Sequence, residues 1–126
     1  MKAKELSVLL LEDNSSWLGI GKRAIEEEGI KIYNTAKNES QALNHLKAKK
    51  YDLLICDTMQ GDSYPMGPNV AREAKKAQTP VVVALSSSPL NKKLWEGLAD
   101  YFFIKDEFYS NRDLKKVLKE KFGIKK

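Results

Sequence analysis

An α/β protein is predicted, with five parallel strands in one sheet and helices on both faces in a doubly wound arrangement. Three observations predict it. Short apolar runs and amphipathic stretches alternate five times along the chain, as they do in strand–helix units built around a parallel sheet. The runs Ser7–Leu11 (SVLLL) and Val81–Leu85 (VVVAL) are continuous rather than alternating, which is the pattern of strands buried on both faces. The 126 residues are 42% hydrophobic and 31% charged, proportions that exclude disorder and collagen-like fibres. A chain of this length buries about two thirds of its unfolded surface and is expected to form a single domain over residues 1–126.

Ser7–Leu11 reads as the first strand. Ser15 or Ser16 can cap a helix that turns Ile20, Ala24 and Ile25 inward and stops at Gly29. Ile30–Tyr33 is the second strand. Asn38, with Gln41 three residues later, has the pattern of a capping box for a helix striped by Ala42, Leu43 and Leu46. Tyr51–Cys56 (YDLLIC) is the third strand and ends at Asp57. Gly61, Pro65, Gly67 and Pro68 mark a loop, and Asn69–Gln78 is a short helical stretch. Pro80 opens the fourth strand, Val81–Leu85. A short fourth helix is expected at Leu90–Leu98 and the fifth strand at Tyr101–Ile104. Leu114, Val117, Leu118 and Phe122 repeat at helical spacing toward the end.

The longest apolar run, Val81–Leu85, is far below the roughly 20 residues of a membrane-spanning helix. Glu12 and Asp13 interrupt the apolar start too early for a signal peptide. No membrane insertion is expected, and the predicted location is the cytoplasm. The lone cysteine, Cys56, excludes an internal disulfide and a cysteine-rich zinc site. The net charge of +5 is concentrated late, since residues 90–126 carry 10 Lys/Arg against 6 Asp/Glu. Lys115, Lys116, Lys119, Lys121, Lys125 and Lys126 supply most of it. This reads as a solvated helix face with a basic tail, so nucleic acid is not an expected partner.

Ligands of open parallel sheets bind at the carboxyl ends of the strands. Glu12 and Asp13 follow the first strand, Asp57 the third, Ser86, Ser87 and Ser88 the fourth, and Lys105 the fifth. Three carboxylates, a hydroxyl and an ammonium therefore converge on one rim. Crowded carboxylates repel, and a hard cation such as Mg²⁺ relieves this by taking their oxygens as ligands. A carboxylate beside that ion can attack phosphorus, while lysine and serine hold the other phosphoryl oxygens.

The chain resembles the receiver domains of two-component response regulators over essentially its whole length. LLLEDN (Leu9–Asn14) is similar to the family's acidic motif. NESQALNHLKAKKYDLLICD (Asn38–Asp57) is similar to its second helix and third strand. PVVVALS (Pro80–Ser86) and ADYFFIK (Ala99–Lys105) resemble its fourth and fifth strands. The resemblance implies a flavodoxin-like fold of five βα units in a stand-alone, chemotaxis-receiver-like response regulator. It further implies that Asp57 accepts a phosphoryl group from a histidine kinase. Asp13, Asp57 and the backbone carbonyl of Met59 would ligate Mg²⁺, with Glu12 helping directly or through water. Lys105 would pair with the phosphoryl oxygens and Ser86 bond to them. Phe102 would be the aromatic that turns inward, and the surface of the fourth helix, fifth strand and last helix would carry the output to a protein partner. Such a protein catalyses only its own phosphorylation and dephosphorylation, and is not an enzyme toward other substrates.

The sequence departs from the family at three places. Asp106 follows the lysine where the family has proline. The stretch after the phosphoacceptor is Thr58-Met59-Gln60-Gly61, with a lengthened loop to Gly67. Only 18 residues separate Ser86 from Lys105, which truncates the fourth helix. These departures suit an alternative, a degenerate receiver that acts as a phosphorylation-independent interaction module. An aspartyl phosphatase of the haloacid dehalogenase type would need a second aspartate where Met59 stands. His45 lacks partners for metal binding, and Cys56 is expected on the face opposite Asp57 as a small buried group. Trp17 and Trp95 are both read first as core residues, with Trp17 able to pack under the acidic rim and Trp95, with Leu94, to form a surface anchor.

Overall fold

A computed structural model of the chain describes residues 1–61 and 64–124. Five strands form one all-parallel sheet: β1 (Ser7–Leu11), β2 (Ile32–Ala36), β3 (Leu53–Asp57), β4 (Val81–Ser86) and β5 (Tyr101–Ile104), in the order β2-β1-β3-β4-β5. The helices are α1 (Ser15–Glu27), α2 (Glu39–Ala48), α3 (Met66–Lys76), α4 (Lys105–Ser110) and α5 (Asp113–Phe122), with 3-10 segments at Ala3–Glu5 and Pro89–Trp95.

Side chains of a strand alternate between faces, and two cores result. Val8, Leu10, Leu53, Ile55, Val83 and Leu85 pack with Ile25 of α1, Phe108 of α4, and Leu114, Val117 and Leu118 of α5. Leu9, Leu11, Leu54, Cys56, Val82 and Ala84 pack with Ala42 and Leu46 of α2, Val70, Ala71 and Ala74 of α3, and Trp95. The expected doubly wound sheet is thus the one observed. Cys56 lies, as expected, in the second core, with its thiol 3.6 Å from the Gly67 carbonyl oxygen. Trp95 is buried rather than a surface anchor, whereas Leu90 and Leu94 beside it are exposed.

Several boundaries move, each for a local reason. Asn14 caps α1, accepting the Trp17 N–H at 3.0 Å, while Ser15 and Ser16 are already helical. Gly21 and Ile25 are its fully buried positions; Ile20 and Ala24 are half-buried. β2 begins two residues after Ile30, which is buried ahead of the strand, because an edge strand with one wet side needs no continuous apolar run. Asn38 caps α2 by accepting from Gln41 N–H at 2.8 Å, but the Gln41 side chain reaches Lys37 N–H instead of completing the box at Asn38.

α3 starts at Met66, ahead of Asn69, since Pro68 falls in its first turn, where a missing N–H is harmless. The fourth helical element is short, as expected, and winds as a 3-10 segment. Ser88 caps it by accepting Leu90 N–H at 3.2 Å. α4 was not expected. With Asp106 in place of proline, all described peptide bonds are trans and the chain turns helical at Lys105. Asp106 and Glu107 in the first turn suit the positive end of the helix, and Phe108 anchors it in the core. Lys125 and Lys126 of the basic tail lie outside the described residues.

Candidate functional site

Strand register assembles the site. Leu11 pairs with Cys56, Asp57 with Leu85, and Ser86 with Ile104, so Glu12, Asp57, Ser86 and Lys105 end their strands at one level. The reversal of strand order between β1 and β3 opens a crevice there. Glu12, Asp13, Asn14, Trp17, Asp57, Thr58, Met59, Gly61, Ser86, Ser87, Asn91 and Lys105 line a cleft of about 330 Å³.

Lys105 is the electrostatic hinge of this cleft. Its Nζ lies 2.7 Å from Glu12 Oε1 and 3.1 Å from Asp57 Oδ1. All three groups are buried, Glu12 at 1% exposure and Asp57 and Lys105 at 7% each. Backbone N–H groups hold the carboxylates in place: Asn14 donates to Glu12 Oε2 at 3.1 Å, Thr58 to Asp57 Oδ1 at 3.0 Å, and Gly61 to Asp13 Oδ2 at 3.2 Å. The lysine ammonium also sits 5.3 Å from the centre of the Trp17 ring, which stacks on Tyr109. Trp17 thus flanks the acidic cluster.

One ammonium is shared by the two buried carboxylates, Glu12 and Asp57, and the incomplete compensation shows in their proton affinities. Burial, then the charge of Asp57, pushes the Glu12 carboxyl up to about 7, against the opposing pull of Lys105. Burial also raises Asp57, and Lys105 counters it. Oxygens of Glu12, Asp13 and Asp57 lie within 4.8 Å of one another. An all-oxygen, net-negative donor set of this kind fits a hard divalent cation such as Mg²⁺.

Ser86 is buried, and its hydroxyl donates to the Ser88 carbonyl oxygen at 2.8 Å while accepting from Ser88 N–H and Asn91 Nδ2 at 3.1 and 2.9 Å. Thr58 donates through Oγ1 to the Leu85 carbonyl oxygen at 2.7 Å and accepts Trp95 Nε1–H at 2.9 Å. Glu12, Asp13, Asp57, Met59, Ser86 and Lys105 therefore line one cleft. Phe102 does not line it. It packs against the α2/α3 core and borders a separate groove of about 540 Å³ with Lys92, Lys93 and Trp95. His45 stands apart on α2 with its ring Nε2 3.1 Å from the Thr35 carbonyl oxygen.

Three participants carried no sequence signal of their role. Thr58 and Asn91 act through contacts that close only in the folded chain. Gly67 was legible only as a turn former, yet a Cβ there would lie 2.0 Å from the Asp57 carbonyl oxygen and 2.7 Å from the Trp95 ring. No larger residue lets α3 start so close to the strand end.

Comparison with known proteins accords with this geometry. The response regulator receiver domain model matches residues 8–119. Among solved structures, the chain is similar to the response regulator TrrA from Thermotoga maritima in complex with Mg²⁺-BeF, at 25% identity over 90% of this chain and 99% of that one, with a TM-score of 0.73. The chemotaxis protein CheY4 of Vibrio cholerae aligns at 19% identity over 90% and 97% of the two chains, TM-score 0.74. The receiver domain of a sensor histidine kinase from Pseudomonas aeruginosa, solved with magnesium in its active-site cleft, aligns at 16% identity over 94% and 98%, TM-score 0.77. No curated protein matches the sequence. The family match spans both the acidic rim and the lysine that closes it, and the chain belongs to the response regulator receiver domain family.

Proposed function

We propose that the protein is a phosphoryl switch in which Asp57 takes a phosphoryl group from a histidine kinase. The observation that carries this is Lys105 Nζ held between Glu12 Oε1 and Asp57 Oδ1 at the rim. Lys105 and the Thr58 N–H fix one oxygen of Asp57 and so orient the carboxylate. An Asp57 oxygen attacks phosphorus as the bond to the donor imidazole breaks, and the imidazole keeps the electron pair. Lys105 then shifts to the new phosphoryl oxygens, and Ser86 donates to another. Asp13, Asp57 and the Met59 carbonyl would hold Mg²⁺, with Glu12 direct or through water; when bound, the ion neutralises charge on the transferring oxygens. Later attack by water on phosphorus restores Asp57 and releases phosphate. The chain thus catalyses only its own phosphorylation and dephosphorylation.

Residues 1–126 act as one receiver unit in the cytoplasm, and its output goes to a protein partner. The surface formed by the 3-10 segment, β5 and α5 carries that output, with Phe102 in the groove between the 3-10 segment and β5. Intact mass after incubation with a small phosphodonor and Mg²⁺ tests the reading. One phosphoryl mass should be gained, and lost in Asp57→Asn or without metal. The 3-10 segment in place of a full helix favours a second reading, a phosphorylation-independent interaction module. It predicts no gain of mass under the same conditions.

A further inference from the structure

The 3-10 segment reaches back to the residues bordering the phosphoacceptor through two tethers, one near each of its ends. Asn91 Nδ2 donates to Ser86 Oγ and Trp95 Nε1 to Thr58 Oγ1, each at 2.9 Å. The tethers differ in what they hold. Thr58 is buried and its hydroxyl donates to the Leu85 carbonyl oxygen at 2.7 Å, so Trp95 is anchored on the sheet itself. Ser86 is held by the start of the segment: its hydroxyl accepts from Asn91 and from Ser88 N–H, and donates to the Ser88 carbonyl oxygen at 2.8 Å. A serine hydroxyl has one proton and two lone pairs, and these three bonds use them all. The same Ser88 carbonyl oxygen accepts Asn91 N–H at 3.3 Å, the bond that opens the 3-10 segment.

We propose that Asn91 is a positioning residue of the switch: it holds the Ser86 hydroxyl in its resting orientation and ties that orientation to the first turn of the 3-10 segment. This rests on the reading of Asp57 as phosphoacceptor. To donate to a phosphoryl oxygen, Ser86 must withdraw its proton from the Ser88 carbonyl oxygen, and turning the hydroxyl misaligns its lone pair with Asn91. Residues 88–91 are released together while Trp95 stays on Thr58. The segment then pivots about Trp95, and the exposed Leu90, Lys92, Lys93 and Leu94 move relative to β5. Asn91 sets how hard it is to turn Ser86, and hence how much phosphoryl analogue is needed to do so.

The test is a titration of the ¹⁵N-labelled full chain with beryllofluoride in saturating Mg²⁺, followed through amide and indole signals. In the unsubstituted protein the amides of Ser88, Leu90 and Asn91 should shift, while the Trp95 indole, assigned by its loss in Trp95→Phe, stays in place. Asn91→Ala should reach half-saturation at about fivefold lower beryllofluoride, the worth of one hydrogen bond, with unchanged affinity for Mg²⁺ alone. A merely structural role would not split the two affinities in this way. An unchanged or higher half-saturation in Asn91→Ala overturns the positioning role, as does a Trp95 indole that moves as far as residues 88–91. If the unsubstituted protein binds no beryllofluoride with Mg²⁺, the phosphoryl-switch reading itself falls, and this inference with it.

Discussion

Lys105 is the residue on which the site turns, because it is the buried cation between two buried carboxylates. Removing one partner of such a group leaves charge that nothing compensates. Lys105→Met should therefore slow labelling by a small phosphodonor by about 100-fold, the usual effect of losing one preorganised charge-stabilising donor, while Asp57 remains in place. Initial rates of mass gain would measure it, and a near-normal rate would remove Lys105 from the mechanism. Glu12 supplies a second prediction, in pH. Its carboxyl rises from 4.5 to about 7 in the folded chain, so the fold binds that proton more tightly than the unfolded chain does. The resulting stabilisation is full below the ordinary value and disappears as pH climbs to the raised one. Without divalent cation, the protein should lose thermal stability as pH rises from about 4.5 to about 7, and Glu12→Gln should flatten that slope. A melting temperature that rises over this range would contradict the assignment. These residues were legible in the sequence because each directly follows an apolar run, and strand ends in a parallel sheet meet on one edge. Thr58 and Asn91 were not, since a threonine in a turn and an asparagine in a polar stretch look ordinary until Trp95 and Ser86 arrive beside them.

At the scale of elements, β1 and β4 begin where continuous apolar runs place them, because burial on both faces leaves little freedom of composition, whereas β3 starts at Leu53, two residues after the expected Tyr51, where its unbroken apolar run begins. β2 shifted because it is an edge strand whose middle residues are only half-buried. α4 was illegible for a different reason. Six residues are too few for a helical period to declare itself, and α4 exists through the tertiary anchor of Phe108. Phe108→Ala should cost about 3–5 kcal/mol in urea unfolding, whereas truncating the exposed Glu107 on the same helix should leave stability within about 0.5 kcal/mol. The start of α3 is equally constrained. A methyl group at Gly67 would overlap the Asp57 carbonyl oxygen and the Trp95 ring, so Gly67→Ala must push α3 away from β3. A loss of about 2 kcal/mol or more is expected, the upper part of the overpacking range, since backbone rather than a flexible side chain is in the way. Equal stability of Gly67→Ala and the parent would show that the helix start is looser than its packing indicates.

The whole molecule places a rigid sheet under a rim where like charges gather. Burying Glu12 and Asp57 beside Asp13 opposes folding, and Lys105 offsets only part of it. Such a molecule stores a preference for added positive charge at one place. The charge of the chain cannot supply it there, because the exposed lysines of α5 stand away from the cleft-lining set. A divalent cation that binds only the folded arrangement must then stabilise the whole fold by mass action. At a Mg²⁺ concentration 100 times its dissociation constant the gain is about 2.7 kcal/mol, which for a domain of this size corresponds to a melting temperature higher by about 10 °C. Chelation should reverse the rise. Asp13→Asn should abolish it while leaving the metal-free melting temperature equal or higher, because that substitution also removes one of the repelling charges. K⁺ at matched ionic strength should do little, since screening alone acts weakly on groups this buried. A rise produced equally by K⁺, or one that survives Asp13→Asn, would mean that the acidic rim is not where the ion acts.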